Sequence, residues 1–490
     1  MIGLVALVAL LPLLGAVFAA AGARARLAGT AMVIGGVGSL LAAIALAVWV
    51  VRHGHFEAMS GFVYVDALGS FFTVTIAIVV VLAGFASIAY LRTEEERGDL
   101  SAFQVRLYYV FFSLFAAGMM GAFLTGNLGL LWVLIEASTL ASAVLVGLEA
   151  HQRSLEAAWK YVIVSSFGVT IALVATLFLF YSGAALHLTS AERLTWPYLF
   201  LHAHGLAPAS VRLAFLLSVV GYRTKVGLVP MHTWLPDAHS EAPSPASAML
   251  SAALLNTGMY AIIRFLAITK VAIGALFPDN VLLIFGFLSI TIGVLFMVQR
   301  GNFKRLFAYS SIEHMGIVAV ALGFGGLLGL YGALLQILCH ALGKTVLFLS
   351  SGHLVLGYRT RQVSEVRGVL GTLPLAGGAL LLASLAVAGT PPFGLFLSEL
   401  TIVRAGFSTT PLLGGLMLLL LAVGFVALIG STLHMASGEG PPSAVAYAHP
   451  SARVIAALPL VGGLVVLALL GLWVPSALNE ILLHAIRAIS

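Results

Sequence analysis

Lys225-Val-Gly-Leu-Val-Pro230-Met-His232-Thr-Trp-Leu-Pro236-Asp237-Ala-His239-Ser-Glu241-Ala-Pro243-Ser-Pro245 is the stretch on which the fold turns. It continues the apolar run that starts near Val211, so Lys225 stands near the middle of a membrane-length segment. Pro230 removes a helical hydrogen bond just after the lysine, and Pro236 removes another, because proline lacks an N–H and its ring crowds the preceding turn. A helix broken at that depth survives only inside protein or along water, and such breaks are typical of ion sites in transporters. A kinked packing helix with a snorkelling lysine is the plainer alternative. Central depth argues against it, because the lysine has no interface within reach. His232 and His239 lie on the same stretch as further candidates.

Working outward, the 490-residue chain is 61% hydrophobic and only 9% charged, with a mean hydropathy of +1.10. It carries 24 Lys+Arg and 18 Asp+Glu, where a soluble chain of this length carries about 120 charges. A soluble multidomain enzyme is thereby excluded. About 20 apolar residues cross a bilayer. Fourteen such runs are found, near 2–20, 27–51, 66–91, 105–124, 126–148, 158–182, 210–235, 242–266, 281–299, 305–323, 327–357, 373–404, 409–436 and 454–475. Only Thr125-Gly126-Asn127 separates spans 4 and 5. The N-terminal run mimics a signal peptide, but Met1-Ile2-Gly3 brings no positive charge, so it reads as a retained first span. The longest connections, 183–209 and 437–453, are too short and apolar for a soluble domain. The fold class is an all-α polytopic membrane protein of about 14 transmembrane helices. Its single cysteine, Cys339, rules out a disulfide framework, a zinc cage or an iron–sulfur cluster held by this chain alone.

The excess of +6 is explained by orientation rather than by nucleic acid. Loops after odd-numbered spans carry fourteen basic residues: Arg24, Arg26, Arg92, Arg97, Arg106, Arg153, Lys160, Arg300, Lys304, Arg305, Arg359, Arg361, Arg367 and Arg453. The opposite side carries seven: Arg52, Arg193, Arg212, Arg264, Lys270, Arg404 and Arg487. By the positive-inside rule both termini lie outside the cytoplasm. Arg223, Lys225 and Lys344 remain within spans. The 52 glycines fit close helix packing better than a phosphate loop, since no GxGxxG follows a strand-like segment.

Ionisable groups at membrane depth are costly enough to be functional by default. Span 5 holds Glu136 midway along Gly129-Leu-Leu-Trp-Val-Leu-Ile-Glu136, either as part of a transport site or as a structural ion pair. Span 11 sets His340 and Lys344 four apart, on one helix face, where a histidine beside a lysine makes a plausible proton relay. His353 lies nearer the helix end. Span 12 reads Ala388-Gly-Thr-Pro391-Pro392-Phe-Gly-Leu-Phe-Leu-Ser-Glu399, a second proline-broken helix with a carboxylate two turns on. Span 10 carries adjacent Glu313 and His314, which point about 100° apart; His314 is the favoured one for a water path. Broken helices 7 and 12, five spans apart, predict two inverted five-helix repeats, helices 4–8 and 9–13, because an odd number reverses orientation. The predicted divisions are 1–100, 101–270, 271–436 and 437–490.

These stretches resemble the antiporter-like membrane subunits shared by respiratory complex I, Mrp cation/proton antiporters and group 4 membrane-bound hydrogenases. The block from Lys225 to Pro245 carries the likeness, supported by Lys304-Arg-Leu-Phe-Ala-Tyr-Ser-Ser-Ile, His340 to Lys344 and Gly389 to Glu399. The His-Ser-Glu-Ala-Pro-Ser-Pro variant looks most like component F of hydrogenase-4. The resemblance implies fourteen core helices, inverted repeats and a mid-membrane line of charges, placed here on Glu136, Lys225, His340, Lys344 and Glu399. One position departs: many relatives have a lysine or histidine in span 8, where this chain has Asn256.

The expectation is a proton-translocating subunit of a redox-driven complex, similar to a group 4 hydrogenase, a formate hydrogenlyase or complex I, with no cofactor or metal of its own. Its partners would be other membrane subunits and a peripheral Fe–S/NiFe or NADH dehydrogenase-like arm, in a prokaryotic inner (cytoplasmic) membrane. A Na⁺ or K⁺/proton antiporter subunit and a membrane anchor that has lost transport are the rivals. The weakest reading is a self-contained enzyme.

Overall fold

In the computed structural model residues 1–299, 301–441, 446–447 and 450–489 are described. Arg300, and part of the 437–453 connection, lie outside them.

Among the described residues, twelve helices are long and apolar enough to cross a bilayer. In the order predicted from sequence they are span 1 (Ile2–Ala20), 2 (Ala25–His53), 3 (Ala67–Glu96), 4 (Ala102–Ala122), 5 (Leu128–Val146), 6 (Gln152–Ser182), 8 (Ser244–Ile273), 9 (Leu276–Met297), 10 (Phe303–Phe324), 11 (Gly326–Tyr358), 13 (Pro411–Ala436) and 14 (Ser451–Leu472). The two remaining positions are the broken helices. Span 7 consists of Pro208–Val226 and Trp234–Glu241, and span 12 of Pro374–Val387 and Gly394–Thr409. Fourteen positions are therefore filled, as the apolar runs predict.

Side-chain caps set several boundaries by accepting from N–H groups that the first turn leaves free. Asn127 caps Leu130 and thereby keeps spans 4 and 5 apart, Asn302 opens span 10, and Asp66 opens span 3. Spans 8 and 11 are buried along their whole length and span 10 nearly so, while spans 1, 6, 9, 13 and 14 leave most of their surface outside. Those outer surfaces carry Leu412, Leu419 and Val426 bare, as lipid requires. Spans 8, 10 and 11, which carry Arg264, Glu313, His314, His340 and Lys344, are thus the innermost ones.

Arg264, Lys270 and Lys304, counted with the loops from sequence, are held within helices by partners. Span 8 does not end near residue 266 but runs to Ile273, so Arg264 and Lys270 are helical rather than loop residues. Arg264 is buried and forks onto Asp66 at 2.5 and 2.7 Å, with its guanidinium 3.9 Å from the centre of a Trp196 ring. Lys270 pairs with Asp279 at 2.7 Å. Lys304 sits in the first turn of span 10 and is buried, not in a loop. In each case polar partners satisfy the charge locally, so the helix absorbs a residue that hydropathy counting assigns to water.

Some local structure escapes apolar periodicity altogether. A short antiparallel hairpin pairs Phe56–Ala58 with Val63–Val65, and the 183–209 connection folds into two short helices, Ser190–Arg193 and Trp196–Leu201. Both lie on the face that carries Asn127, where the Trp196 N–H donates to the Gly126 carbonyl at 2.8 Å. Span 8 contains a π-helical turn, Leu250–Leu254, immediately before Asn256; such turns are frequent at functional sites. After span 14 an amphipathic helix, Ser476–Arg487, packs back on spans 3 and 11.

Breaking a buried ion pair by removing one partner costs about 3–5 kcal/mol, whereas replacing both by apolar groups costs far less. Arg264→Leu or Asp66→Leu alone is therefore expected to lower the Tm of the detergent-purified protein sharply, and the double variant to recover most of the loss.

Candidate functional site: a buried line of ionisable residues

Lys225 ends the first arm of span 7. The arm stops at Val226 because Gly227 adopts φ +77°, the left-handed conformation that suits glycine. A cation in the last turn faces the free carbonyls of the helix end, where the helix dipole favours it. The break is sealed by protein: the Trp234 indole N–H donates to the Thr224 carbonyl at 2.7 Å, and the Val229 N–H to Ser289 Oγ at 3.0 Å. The Val229–Pro230 and Pro391–Pro392 peptide bonds are cis.

The lysine is fully buried. Its Nζ donates to Thr139 Oγ1, lies 3.7 Å from Glu136 Oε2 and sits 5.6 Å from the centre of the Tyr161 ring. The other Glu136 oxygen accepts from Ser166 Oγ at 2.5 Å. Oε2 has no hydrogen bond of its own. Spans 6 and 8 close on this site through glycines. A Cβ at Gly258 would fall 2.8 Å from Lys225 Cβ, and one at Gly168 would overlap the Thr224 side chain.

The second centre lies on span 11, where His340 and Lys344 are buried one turn apart. Lys344 Nζ donates to the Phe307 carbonyl at 3.1 Å, and the carboxylate acting on it through space is that of Glu313. His340 has no hydrogen-bond partner on either ring nitrogen, and its ring lies 5.3 Å from that of His314. His314 Nδ1 accepts from the Gln336 amide at 2.9 Å. The same amide nitrogen reaches Glu399 Oε1 at 3.4 Å, and Gln336 Oε1 accepts from Ser398 Oγ. Because an amide N–H donates to it, His314 Nδ1 carries no proton in this arrangement. Glu399 Oε1 is 3.9 Å from that nitrogen. The Glu399 carboxylate lies against Gly389, at φ +69° in the break of span 12, where any side chain would collide with it.

The structure thus groups Glu136 with Lys225, and His340, Lys344, His314 and Glu399 in a second cluster. Between the two, Asn256 donates to the Ala252 carbonyl at 2.7 Å and leaves its Oδ1 buried without a partner. His239, on the second arm of span 7, is buried with both ring nitrogens unpartnered, 5.1 Å from the Phe348 ring, and it feels the charges of Lys304 and Lys344. His232 stays half-exposed in the unwound segment. Glu313 and His314 diverge as adjacent helical residues must. His314 faces Glu399, and the Glu313 carboxylate lies against Gly424 of span 13. His353 Nδ1 donates to its own helix at the Leu349 carbonyl, 3.0 Å away, so its polar needs are locally met.

Sequence reasoning missed the neutral groups that tie the line together. Thr139, Ser166 and Tyr161 surround the first pair, while Gln336 and Ser398 join His314 to Glu399. One of these was legible: Gln336 precedes His340 by the same four residues that separate His340 from Lys344, so all three share a face. Of the groups around the second lysine, the His340 and His314 rings lie 5.3 Å apart and His314 Nδ1 lies 3.9 Å from Glu399 Oε1. No group of three or more His, Cys, Asp or Glu that could hold a metal occurs among the described residues.

Three comparisons bear on this arrangement. A family described as NADH:quinone oxidoreductase/Mrp antiporter, TM, matches residues 125–429. The hydrogenase-4 component F homolog of Methylacidiphilum infernorum is 39% identical over 378 residues, covering 75% of this chain and 78% of that protein. Hydrogenase-4 component B of Escherichia coli is 29% identical over 346 residues, 68% of this chain but only 49% of that longer protein. Among solved structures, a chain of the membrane-bound sulfane sulfur reductase, an archaeal respiratory membrane complex, superposes with a TM-score of 0.83 at 23% identity, covering 99% of this chain and 97% of that one. This last likeness concerns the fold.

Leaving a buried polar group unsatisfied costs about 1–3 kcal/mol. Gln336→Leu takes the donor from buried His314 Nδ1, so it is expected to lower thermal stability by that amount. Adding His314→Phe, which removes the unpaired nitrogen, should recover part of it in a double-mutant cycle read by Tm.

Proposed function

Because the chain belongs to the membrane-subunit family shared by NADH:quinone oxidoreductases and Mrp antiporters, we propose that it translocates protons within a multisubunit membrane complex and draws its energy from redox chemistry carried out by partner subunits. The observation that carries this reading is the buried line itself. Two lysines are each held by one neutral oxygen, with a carboxylate at longer range, and a chain of histidines leads from the second lysine to Glu399.

At an effective dielectric of about 20, opposite charges near 4 Å attract by about 4 kcal/mol. Glu136 beside Lys225 favours the ammonium form, and its withdrawal favours proton release. The looseness of the pair suits that role, since Nζ to Oε2 is 3.7 Å and the only close bond of the ammonium is to Thr139. On the second lysine, the proton passes through His340 and His314 to Glu399 and leaves there. Asn256 cannot take up a proton, so a direct proton relay between the two centres would need water on its free Oδ1.

Likeness to hydrogenase-4 components favours partners of the hydrogenase or complex I type: further membrane subunits and a peripheral Fe–S/NiFe or NADH dehydrogenase-like arm. A prokaryotic inner membrane, with both termini outside the cytoplasm, accords with the basic-residue bias. Helices 4–8 (101–270) and 9–13 (271–436) are read as inverted repeats on the strength of their broken members, spans 7 and 12, between 1–100 and 437–490. A Na⁺ or K⁺/proton antiporter is the second reading, favoured by the Mrp branch of the family. Cationic lysines on the path weigh against binding a metal cation there.

Lys225→Ala and Glu136→Ala are each expected to abolish proton pumping by the assembled complex, measured as dye quenching in inverted vesicles. Normal pumping by a normally assembled variant would sink the assignment, and a strict requirement for Na⁺ or K⁺ would favour the second reading. For orientation, Ala21→Cys should label with an impermeant maleimide from the cytoplasmic side and His187→Cys from the other. Native Cys339 is buried and stays silent.

A further inference from the structure

On the face that carries more of the basic residues, the connections after spans 5 and 11 and the end of span 7's second arm enclose a charged cavity of about 500 Å³. It adjoins a second cavity of about 720 Å³, with which it shares Arg153, Glu241, Asn302 and Gln362. Arg361 stands between two carboxylates in the first cavity, donating to Glu241 at 2.7 Å and to Glu149 at 3.3 Å. Burial works against its charge, yet Glu149 and Glu241 outweigh that and hold the guanidinium above its ordinary range. His151 lies 2.9 Å from Glu149 and 3.7 Å from Glu241.

Directly inward is Lys304, which is buried and donates to the Ala242 carbonyl at 2.5 Å, next to Glu241. It faces the charges of Arg361, Glu149, Glu241 and Glu94. The turn above it is pinned by Asn302, whose amide donates to Ser240 Oγ at 2.7 Å, and by Ser247, which donates to the His239 carbonyl at 2.9 Å. Beyond Lys304 comes His239, with two buried nitrogens and no partner for either, within the field of both Lys304 and Lys344. Four ionisable side chains of the cavity lining, Glu149, His151, Glu241 and Arg361, with buried Lys304 and then an unpartnered buried histidine behind them, point to a route from water to the second centre.

We propose that this cavity is the proton-uptake port of the Lys344 half of the line, with Glu241 and Glu149 as its acceptor pair, Arg361 as the residue that positions them and Lys304 as the first buried carrier. The inference rests on the proton-translocation reading above. A proton from cavity water protonates the Glu241 carboxylate. That O–H then breaks as an N–H forms on the neutral Lys304 amine, returning Glu241 to its anion. Lys304 passes the proton to an unpaired nitrogen of His239 and so towards Lys344. Arg361 takes no proton itself; it fixes the two carboxylates over Lys304 and is a positioning residue.

The test uses the complete complex in proteoliposomes, with assembly checked by co-purification of its subunits. Lys304→Met and Glu241→Gln are expected to stop proton pumping. Arg361→Gln is expected to slow it about tenfold or more, the worth of a lost hydrogen bond between charged groups, and Arg361→Lys, which keeps the cation, to restore much of the rate. Glu241→Cys should react with a charged, water-soluble thiol reagent, and failure to react in assembled complex would overturn the port. Lys344→Ala run in parallel separates the two readings. If it stops pumping while Lys304→Met and Arg361→Gln pump normally, the port is wrong and the translocation reading stands. If Lys344→Ala itself pumps normally, the translocation reading falls and the port falls with it.

Discussion

An ammonium group carried into the middle of a bilayer has to be solvated by the protein, and that requirement orders the inner helices of this chain. The two buried lysines meet it in parallel ways. Lys225 bonds a hydroxyl and keeps Glu136 at 3.7 Å; Lys344 bonds a backbone carbonyl and feels Glu313 through space. Neither is locked into a short ion pair. Arg264 is buried as deeply but is gripped bidentately by Asp66 at 2.5 and 2.7 Å and covered by Trp196. A planar guanidinium in a fork is a fixed charge, while a lysine with one neutral partner and one distant carboxylate can change its protonation state. Equal burial thus takes two forms in one chain: the arginine is a fixed charge, and the lysines keep loose partners.

That solvation fixes where the helices break. A continuous span 7 would direct the carbonyls after Lys225 back into its own hydrogen-bond ladder. The break instead frees backbone groups that must find partners at a depth without lipid-side donors, and Trp234 and Ser289 supply them, as Thr390 does for the Leu385 carbonyl in span 12. The glycines follow from the same demand. Gly258 lets span 8 lie on the lysine stem and Gly389 leaves room for the Glu399 carboxylate. Spans 8, 10 and 11, with almost no lipid-facing side, fill the centre.

The architecture was readable because lipid imposes one strong pattern, long apolar runs, and because proline at membrane depth has few innocent explanations. The principal ionisable residues were readable for the same reason: Glu136, Lys225, His340, Lys344 and Glu399 interrupt apolar sequence. What eluded that reading shares a physical cause. Arg264 and Lys304 look like loop charges because hydropathy cannot see Asp66, far away in sequence, or the Ala242 carbonyl. Thr139, Ser166, Gln336 and Ser398 are neutral and common in membrane helices, so only their convergence in space marks them. Hairpin 56–65 and the short helices of 183–209 owe their form to caps and to bridging across loops, which carry no period.

Asn256 acquires its meaning from the two centres on either side of it. A lysine there would make the line protonically continuous from Lys225 to Lys344. The amide breaks that continuity, yet the second centre is not thereby starved. His239, Lys304 and the carboxylates held by Arg361 connect it to water on the basic face without passing Asn256. The two halves therefore need not exchange a proton in order to act together. In the proposed mechanism the charge at Lys225 changes as Glu136 moves, and in a medium of low dielectric such a change would be felt at Lys344 and Glu313 with little screening. A neutral residue at the junction fits such coupling, because it passes the field of one half to the other while withholding the proton.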